Sequence, residues 1–173
     1  MLGLDAWIVQ DGNYGELHVG QRVELAVEFG TEDPLRKEER PGAPAAEPLG
    51  GAEYRIAARV AHRSGENLVL DCGILVYSTY VPGEPPAEGD HVTGTAYLGV
   101  DPFTYFERLH RLPGFPALIY TWRIAAIQLE GESGSRPVEE TNAWEDEDGR
   151  AHYLLDCLLL DEPPKRRSVT AVY

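Results

Sequence analysis

The fold is decided by the stretch Arg22-Val23-Glu24-Leu25-Ala26-Val27-Glu28-Phe29, in which apolar and mostly polar residues alternate. Side chains on a β-strand point alternately to its two faces, so this spacing places Val23, Leu25, Val27 and Phe29 together on one face. Such a pattern is typical of a strand with one face on a core and the other toward water. The stretch therefore predicts a half-buried β-strand.

Spacings of two, or short continuous apolar runs, recur along the rest of the chain. They predict strands over 4–9, 54–62, 68–79, 91–100, 117–130, 138–144 and 151–160, with an edge strand or a frayed end over 168–173. One short helix is expected over about 102–111, because Asp101 suits an N-cap and Pro102 the first helical position. About seven or eight strands with long Pro/Gly loops predict an all-β fold: a small curled antiparallel sheet or an OB-like barrel.

The length of 173 residues suits one domain. Residues 30–51 are charged, rich in Pro and Gly and without aromatics, so we expect a flexible insertion between strands. A second distinctive segment is an acidic hairpin predicted over 138–160, with its turn at Asp148-Gly149. The chain is thus expected to be a single barrel-like domain carrying these two features.

The composition is strongly acidic, with a net charge of −14 and a pI near 4.7. Such a field repels polyanions and anionic lipid surfaces and attracts basic partners, although acidity also simply keeps a protein in solution. No secretory signal or run of about 18 apolar residues is seen, so the expected location is the cytoplasm, without membrane insertion. The excess of Arg (thirteen) over Lys (two) is typical of high-GC bacteria.

Two segments begin alike: Val19-Gly20-Gln21-Arg22-Val23-Glu24-Leu25-Ala26-Val27 and Glu88-Gly89-Asp90-His91-Val92-Thr93-Gly94-Thr95-Ala96. In this the chain resembles the strand entries of OB-fold and S1-like barrels. The resemblance implies a nucleic-acid-binding face of aromatic and basic residues. The aromatics are present (Tyr54, Tyr77, Tyr97, Tyr120, Trp122), but beside them stand only Arg55, Arg59 and Arg123. Nucleic acid is therefore the less favoured partner.

Leu-Asp-Cys occurs twice within apolar strands, at 70–72 and at 155–157. If these strands pair in register, Asp71 and Asp156 share one face, and Cys72 and Cys157 share the other. Two close carboxylates share a proton or clamp a cation, which acid catalysis uses. Alternatively, each Asp faces solvent or an arginine, and the cysteines are buried small apolar residues.

No other catalytic or metal-ligating pattern is found. The five histidines are isolated, the acidic turn lacks the spacing of a calcium loop, and no phosphate loop or serine elbow is present. We therefore expect no cofactor, no metal and a non-catalytic role. A small-ligand barrel or minor enzyme using Asp71 and Asp156 is the alternative, with Tyr97, Tyr120 and Trp122 lining its pocket.

The acidic turn is the predicted partner-binding surface. Residues 130–162 hold eleven acids against two arginines, and Trp144 adjoins Glu145, Asp146, Glu147 and Asp148. Aromatic residues in charged rims are typical of recognition surfaces. We therefore expect an interaction module that binds a basic protein partner or itself as an oligomer. The basic segment 165–167 offers a docking site for an acidic patch of a second copy.

Overall fold

The computed structural model describes residues 1–11, 14–40, 42–131, 134–142 and 151–167. Strands make up 52% of the described residues and helices 8%, which confirms the all-β prediction. The strands are β1 (Leu2–Asp5), β2 (Arg22–Leu25), β3 (Val27–Gly30), β4 (Arg36–Lys37), β5 (Ala45–Gly50), β6 (Glu53–Ser64), β7 (Asn67–Asp71), β8 (Leu75–Ser78), β9 (His91–Val100), β10 (Tyr120–Gly131), β11 (Gly134–Val138) and β12 (His152–Leu159). The helices are α1 (Ala6–Gln10), α2 (Thr104–Glu107) and a 3₁₀ turn, Leu109–Arg111.

Five strands close into a barrel in the order β9-β3-β8-β7-β6, with β6 returning to β9. The β3–β8 pair is parallel, and the other four pairs of the ring are antiparallel. Closure leaves no free edge within this ring, since each strand has a neighbour on both sides. The fully buried Phe29, Ile56 and Leu70 belong to the main core of these strands.

The outer strands continue the same twelve-stranded sheet beyond β9, and this part is called the outer sheet. β1 joins β9 in parallel at Gly3 and Gly99, and the order continues outward as β1-β12-β10-β11, with β2 on β10. The predicted strand over 23–29 is therefore divided at Ala26: β2 belongs to the outer sheet, while β3 belongs to the barrel. Alternation alone does not show this change of partner.

The predicted helix over 102–111 is a single α-turn followed by a 3₁₀ turn. It begins later than expected, because Phe103 adopts a left-handed conformation with φ of 70° and Thr104 is the first helical residue. Asp101 nevertheless caps it: its carboxylate accepts the backbone N–H groups of Tyr105 (3.0 Å) and Phe106 (3.1 Å). The carboxylate also accepts the Tyr77 hydroxyl, and Asp101 is fully buried.

Two other expectations also differ from the structure. The strand predicted over 4–9 ends at Asp5, and α1 follows it. Within 30–51, where no regular structure was expected, β4 pairs with β9 and β5 pairs with β6. Backbone hydrogen bonding to an existing sheet does not need apolar side chains, so a polar segment joins it as edge strands.

The strands on either side of the predicted acidic hairpin, β11 and β12, are not neighbours, and its predicted turn at Asp148-Gly149 lies outside the described residues. β11 and β12 lie on opposite sides of β10, which pairs with both. β10 and β11 are joined by a short turn, with Gly131 paired to Gly134. β11 therefore occupies one edge of β10, and β12 pairs with the opposite edge. The edge strand predicted over 168–173 lies outside the described residues.

No helix within the described part of the chain is long and apolar enough to cross a membrane.

Candidate functional site

A pocket of about 370 Å³ lies where β1, α1, β3, β9 and the segment after β8 meet. The side chains that give it chemical character are Asp5, Trp7, Glu28, Tyr80 and Tyr97. Two are acids and three are aromatics, and they come from four separate parts of the chain. The pocket is thus a product of the barrel and of the outer sheet that extends from β9.

Glu28 is the acid that the barrel places most deeply in this pocket. It stands on β3 opposite Tyr77 of β8 and Gly99 of β9, and its side chain is half-buried. Burial, with a smaller contribution from the nearby Asp101 charge, raises the pKa of the Glu28 carboxyl to about 7. Among the described residues, no hydrogen bond or ion pair to the carboxyl is found. Glu28 is therefore a carboxyl that lacks a counter-ion.

Three aromatic side chains of the pocket remain open to solvent. Trp7 is 44% exposed, Tyr80 71% and Tyr97 38%, whereas most large apolar side chains of the described chain are buried. The face of an aromatic ring carries partial negative charge and attracts a cation that lies within about 6 Å of the ring centre. Three such rings beside two carboxyl groups make a surface suited to an organic cation.

Tyr97 is held in place by a chain of hydrogen bonds to His152 and Asp5. Nδ1 of His152 lies 2.7 Å from Oδ1 of Asp5, and Nε2 lies 2.8 Å from the Tyr97 hydroxyl. A carboxylate only accepts, so Nδ1 carries the hydrogen; in the neutral imidazole Nε2 then accepts from the tyrosine. Asp5 also accepts the indole N–H of Trp7, at 3.2 Å.

Gly3 makes the position of Tyr97 possible. A Cβ atom at residue 3 would lie 1.4 Å from the Tyr97 hydroxyl oxygen, so the phenol crosses β1 where a side chain is missing. The hydroxyl thereby reaches His152 on the next strand, and the ring is left as a wall of the pocket. Gly3 is the residue that permits both contacts.

The Asp5–His152–Tyr97 arrangement has the order of a catalytic triad, but its electrostatics oppose tyrosine ionisation. Burial, followed by the charges of Asp5 and Glu130, raises the pKa of Tyr97 well above its ordinary value. A tyrosine that acts as a nucleophile needs a lowered pKa or an adjacent base that accepts its proton. The hydrogen bond to His152 lowers the pKa of Asp5, which keeps that acid ionised. The arrangement therefore orients Tyr97 and supplies a carboxylate.

A larger cleft of about 810 Å³ lies on the other side of Tyr97. Its polar lining combines the acids Glu32, Asp33 and Glu53 with Arg36 and Arg55. Gly30 and Tyr97 line this cleft as well as the smaller pocket. The two cavities are thus neighbours with one shared wall.

Of the three aromatics expected to line a pocket, the structure places only Tyr97 there. Tyr120 is 7% exposed and its hydroxyl accepts the backbone N–H of Leu75 at 2.8 Å. Trp122 is 6% exposed and its indole N–H donates to the backbone oxygen of Leu25 at 3.3 Å. Both pack in the main core and line neither cavity, so this expectation is wrong for them.

The condition for a carboxylate pair at Asp71 and Asp156 is not met. β7 pairs with β6 and β8, whereas β12 pairs with β10 and β1, so the two Leu-Asp-Cys strands are not partners. Asp71 stands opposite Arg59 and its carboxylate accepts the N–H of Gly73 at 3.1 Å. Asp156 is exposed on β12. The solvent alternative thus describes Asp156, whereas Asp71 binds a backbone N–H of its own turn.

Both cysteines are free thiols in apolar surroundings. Cys72 is buried and Cys157 packs against the same core. Burial raises the pKa of Cys72 to about 11 and that of Cys157 to about 12. A thiol with a raised pKa is a poor nucleophile at neutral pH, so neither cysteine has the environment of a reactive one.

The predicted partner surface formed by Trp144, Glu145, Asp146, Glu147 and Asp148 lies outside the described residues. The basic segment 165–167, by contrast, is used within its own chain. Lys165 pairs with Glu24, Arg166 donates to the backbone oxygen of Phe115, and Arg167 donates to that of Phe106. The prediction that this segment docks on a second copy stays a prediction.

Four residues of the pocket were not anticipated from sequence as site residues: Asp5, Trp7, Glu28 and Tyr80. Glu28 was recognisable only as an acid on the wet face of its strand. His152, which orients Tyr97, was an isolated histidine 147 residues from Asp5. The only signal in the sequence was that Asp5 and Trp7 lie in one short segment. That signal does not show which distant residues lie beside them in the fold.

No group of three or more His, Cys, Asp or Glu side chains within the described ranges is placed to hold a metal ion. No protein-family model matches the chain, and the searches of curated proteins and of solved structures found no match either.

Proposed function

We propose that this chain is a non-catalytic interaction module for a basic protein partner, and that the smaller pocket receives a cationic side chain of that partner. The observation that carries the proposal is Glu28, a half-buried carboxyl without a counter-ion in a pocket with three exposed aromatic rings. A buried charge is costly unless it is paired, so a cation entering the pocket supplies what the folded chain lacks.

Arginine is the side chain that this lining fits best. Its guanidinium is planar, stacks on aromatic faces and donates several hydrogen bonds to carboxylates, and it is more weakly hydrated than an ammonium group. Trp7, Tyr80 and Tyr97 offer the faces, and Glu28 and Asp5 offer the carboxylates. A cation on such rings is stabilised by about 0.5–2 kcal/mol for each favourable contact.

The net charge of −14 supports the same class of partner. A negative field speeds the approach of a basic protein and repels polyanions, and it does so more strongly at low salt. The acidic turn with Trp144 and residues 145–148 stays a predicted second contact. Reversing the charges at these four acids is expected to weaken partner binding and to reduce its salt dependence.

The test is an NMR titration of the labelled protein with N-acetyl-arginine amide at pH 8 and low salt. The matched ligand is N-acetyl-citrulline amide, which has nearly the same shape without the charge. We expect shifts at Trp7, Glu28 and Tyr97 with the arginine compound and about tenfold weaker binding of the citrulline compound, equivalent to about 1.4 kcal/mol.

Glu28→Gln should reduce arginine binding to the level of citrulline binding. Glu66→Gln is the matched control, because Glu66 is an exposed acid in the turn between β6 and β7, away from the pocket lining. Equal binding of arginine and citrulline, or a Glu28→Gln variant that binds arginine as the wild type does, would contradict the proposal. Sedimentation of the protein alone tests the alternative that the chain binds a second copy of itself.

A further inference from the structure

The smaller pocket and the larger cleft lie next to each other along β9. Gly30 and Tyr97 belong to the lining of both cavities. The volumes, about 370 and 810 Å³, both fall in the range of roughly 300–1,000 Å³ that is usual for ligand pockets. A single amino-acid side chain needs only the first of them.

The larger cleft follows an interruption in the pairing of β9. On one side β9 pairs with β6 continuously from His91 to Tyr97. On its other side β3 pairs with residues 97–100 and β4 with residues 92–93, so no described strand pairs with residues 94–96 there. Gly94 and Thr95 line the larger cleft at this interruption. Residues 31–34, which connect β3 to β4, line the same cleft, so the cleft is a groove between this connection and β9 and not an open sheet edge. A groove beside strand backbone that lacks a paired neighbour suits an extended peptide.

The lining also has a chemical preference. Glu32, Asp33 and Glu53 outnumber Arg36 and Arg55, and Arg55 already lies 3.7 Å from Glu47. The acids that remain without an arginine favour a segment whose flanking residues are basic or neutral over an acidic one. Polar Thr93 and Thr95 offer hydroxyl groups between these charges.

From these observations we propose that the partner contributes an extended peptide segment, with one arginine in the smaller pocket and its neighbours along β9 in the larger cleft. This inference rests on the proposed function, because it takes the arginine pocket as its starting point. It adds that the recognised unit is a stretch of chain, so that neither a free organic cation nor an isolated side chain fills the site. An extended chain advances about 3.3 Å per residue, so the residues next to the arginine reach past the shared wall at Tyr97.

The test compares N-acetyl-arginine amide with three blocked five-residue peptides at pH 8. The peptides carry one arginine, at the first, third or fifth position, among serine and threonine residues. We expect one of the terminal-arginine peptides to bind at least about tenfold more tightly than the blocked amino acid, equivalent to about 1.4 kcal/mol. The other terminal peptide should gain less, because only one direction of the chain leads from the pocket into the cleft.

Variants separate the two cavities. Glu53 lies opposite Tyr97 on β6 and lines only the larger cleft. Glu53→Arg should weaken the best peptide about tenfold and leave the blocked arginine unchanged, whereas Glu28→Gln should weaken both. Glu66→Arg is the control for the change in net charge, and circular dichroism with thermal melting verifies that each variant is folded.

The outcomes distinguish this inference from the proposed function. Equal affinities for the peptides and the blocked arginine, together with no effect of Glu53→Arg, would overturn the extended segment and leave the arginine pocket in place. Failure of both ligands to bind, or equal binding of citrulline-containing peptides, would overturn both.

Discussion

Glu28→Gln should stabilise the protein at pH 8 and have no such effect near pH 4.5. In the wild type, burial and the Asp101 charge raise the pKa of the Glu28 carboxyl from 4.5 to about 7. The folded state then holds a proton on Glu28 more tightly than the unfolded chain does. Stability therefore falls as pH rises from about 4.5 to about 7, and the loss stays constant at higher pH. Glutamine has the same shape without the titrating charge, so the variant escapes this loss.

The size of the effect follows from the two pKa values. A difference between 4.5 and about 7 corresponds to about 3 kcal/mol at 1.36 kcal/mol per unit, before solvent is considered. The Glu28 side chain is only half-buried and lines an open pocket, so screening reduces this to about 1–1.5 kcal/mol. A change of that size raises the melting temperature of a chain of this length by about 2–6 °C.

The assay is thermal unfolding followed by circular dichroism at pH 4.5, 6, 7 and 8, at constant ionic strength. The quantity to compare is the difference between variant and wild type at each pH, since other titrating groups cancel in it. Glu66→Gln serves again as the exposed control and should show a difference near zero throughout. A Glu28→Gln variant that is less stable at pH 8, or whose difference from the wild type does not change with pH, would refute the reasoning.

Three further predictions concern Gly3, which supports the pocket, the buried Asp101 and the two cysteine thiols. Gly3→Ala should displace Tyr97, because the new Cβ would lie 1.4 Å from its hydroxyl oxygen; arginine binding in the NMR titration should be lost and stability reduced by about 1–3 kcal/mol. Asp101→Ala should cost about 2–4 kcal/mol in urea unfolding, because it leaves two helix N–H groups and a buried tyrosine hydroxyl without an acceptor. Both thiols should react with Ellman's reagent at pH 8 at least about tenfold more slowly in the folded protein than in the urea-unfolded protein. The reason is that burial raises the pKa of Cys72 to about 11 and that of Cys157 to about 12. A thiol that reacts equally fast in both states would contradict this.

Local sequence pattern was sufficient for the fold class and for most strands. The strand predicted over 91–100 is β9, and the strand predicted over 54–62 lies within β6. Period-two alternation reports which face of a strand is buried, and that is a local property. It does not report which strand lies alongside, so the division of 23–29 at Ala26 and the position of β10 between β11 and β12 were not predictable.

The composition of residues 30–51 misled for a related reason. Low hydrophobicity indicates that a segment does not fold by itself, but β4 and β5 join strands that are already paired on their other edge. Helix α1 is a second case. Ala6, Ile8 and Val9 are buried in this helix, and five residues are too few to separate a spacing of two from one of 3.6.

The pocket itself depends on contacts that are distant in sequence. His152 reaches Tyr97 because β12 and β9 flank β1 on its two sides, and because Gly3 leaves room between them. Each of these residues is unremarkable within its own segment. Sequence reasoning named Tyr97 as a pocket residue, and Tyr97 lines both cavities. The acidic turn that it named as the partner surface lies outside the described residues.

The two roles argued for Glu28, as a destabilising charge and as an anchor for arginine, make a joint prediction about protons. A cation beside Glu28 favours the ionised carboxyl, and a proton on Glu28 removes the negative charge to which the cation binds. The proton and the arginine therefore compete for the same carboxyl group. Arginine binding should therefore strengthen as pH rises through about 7 and should release protons, in the same interval in which the unbound protein loses stability. Calorimetry in two buffers of different ionisation enthalpy at pH 7 measures this release directly. A proton release near zero in the wild type, with stability that nevertheless depends on Glu28, would show that Glu28 titrates in the pocket without contacting the ligand.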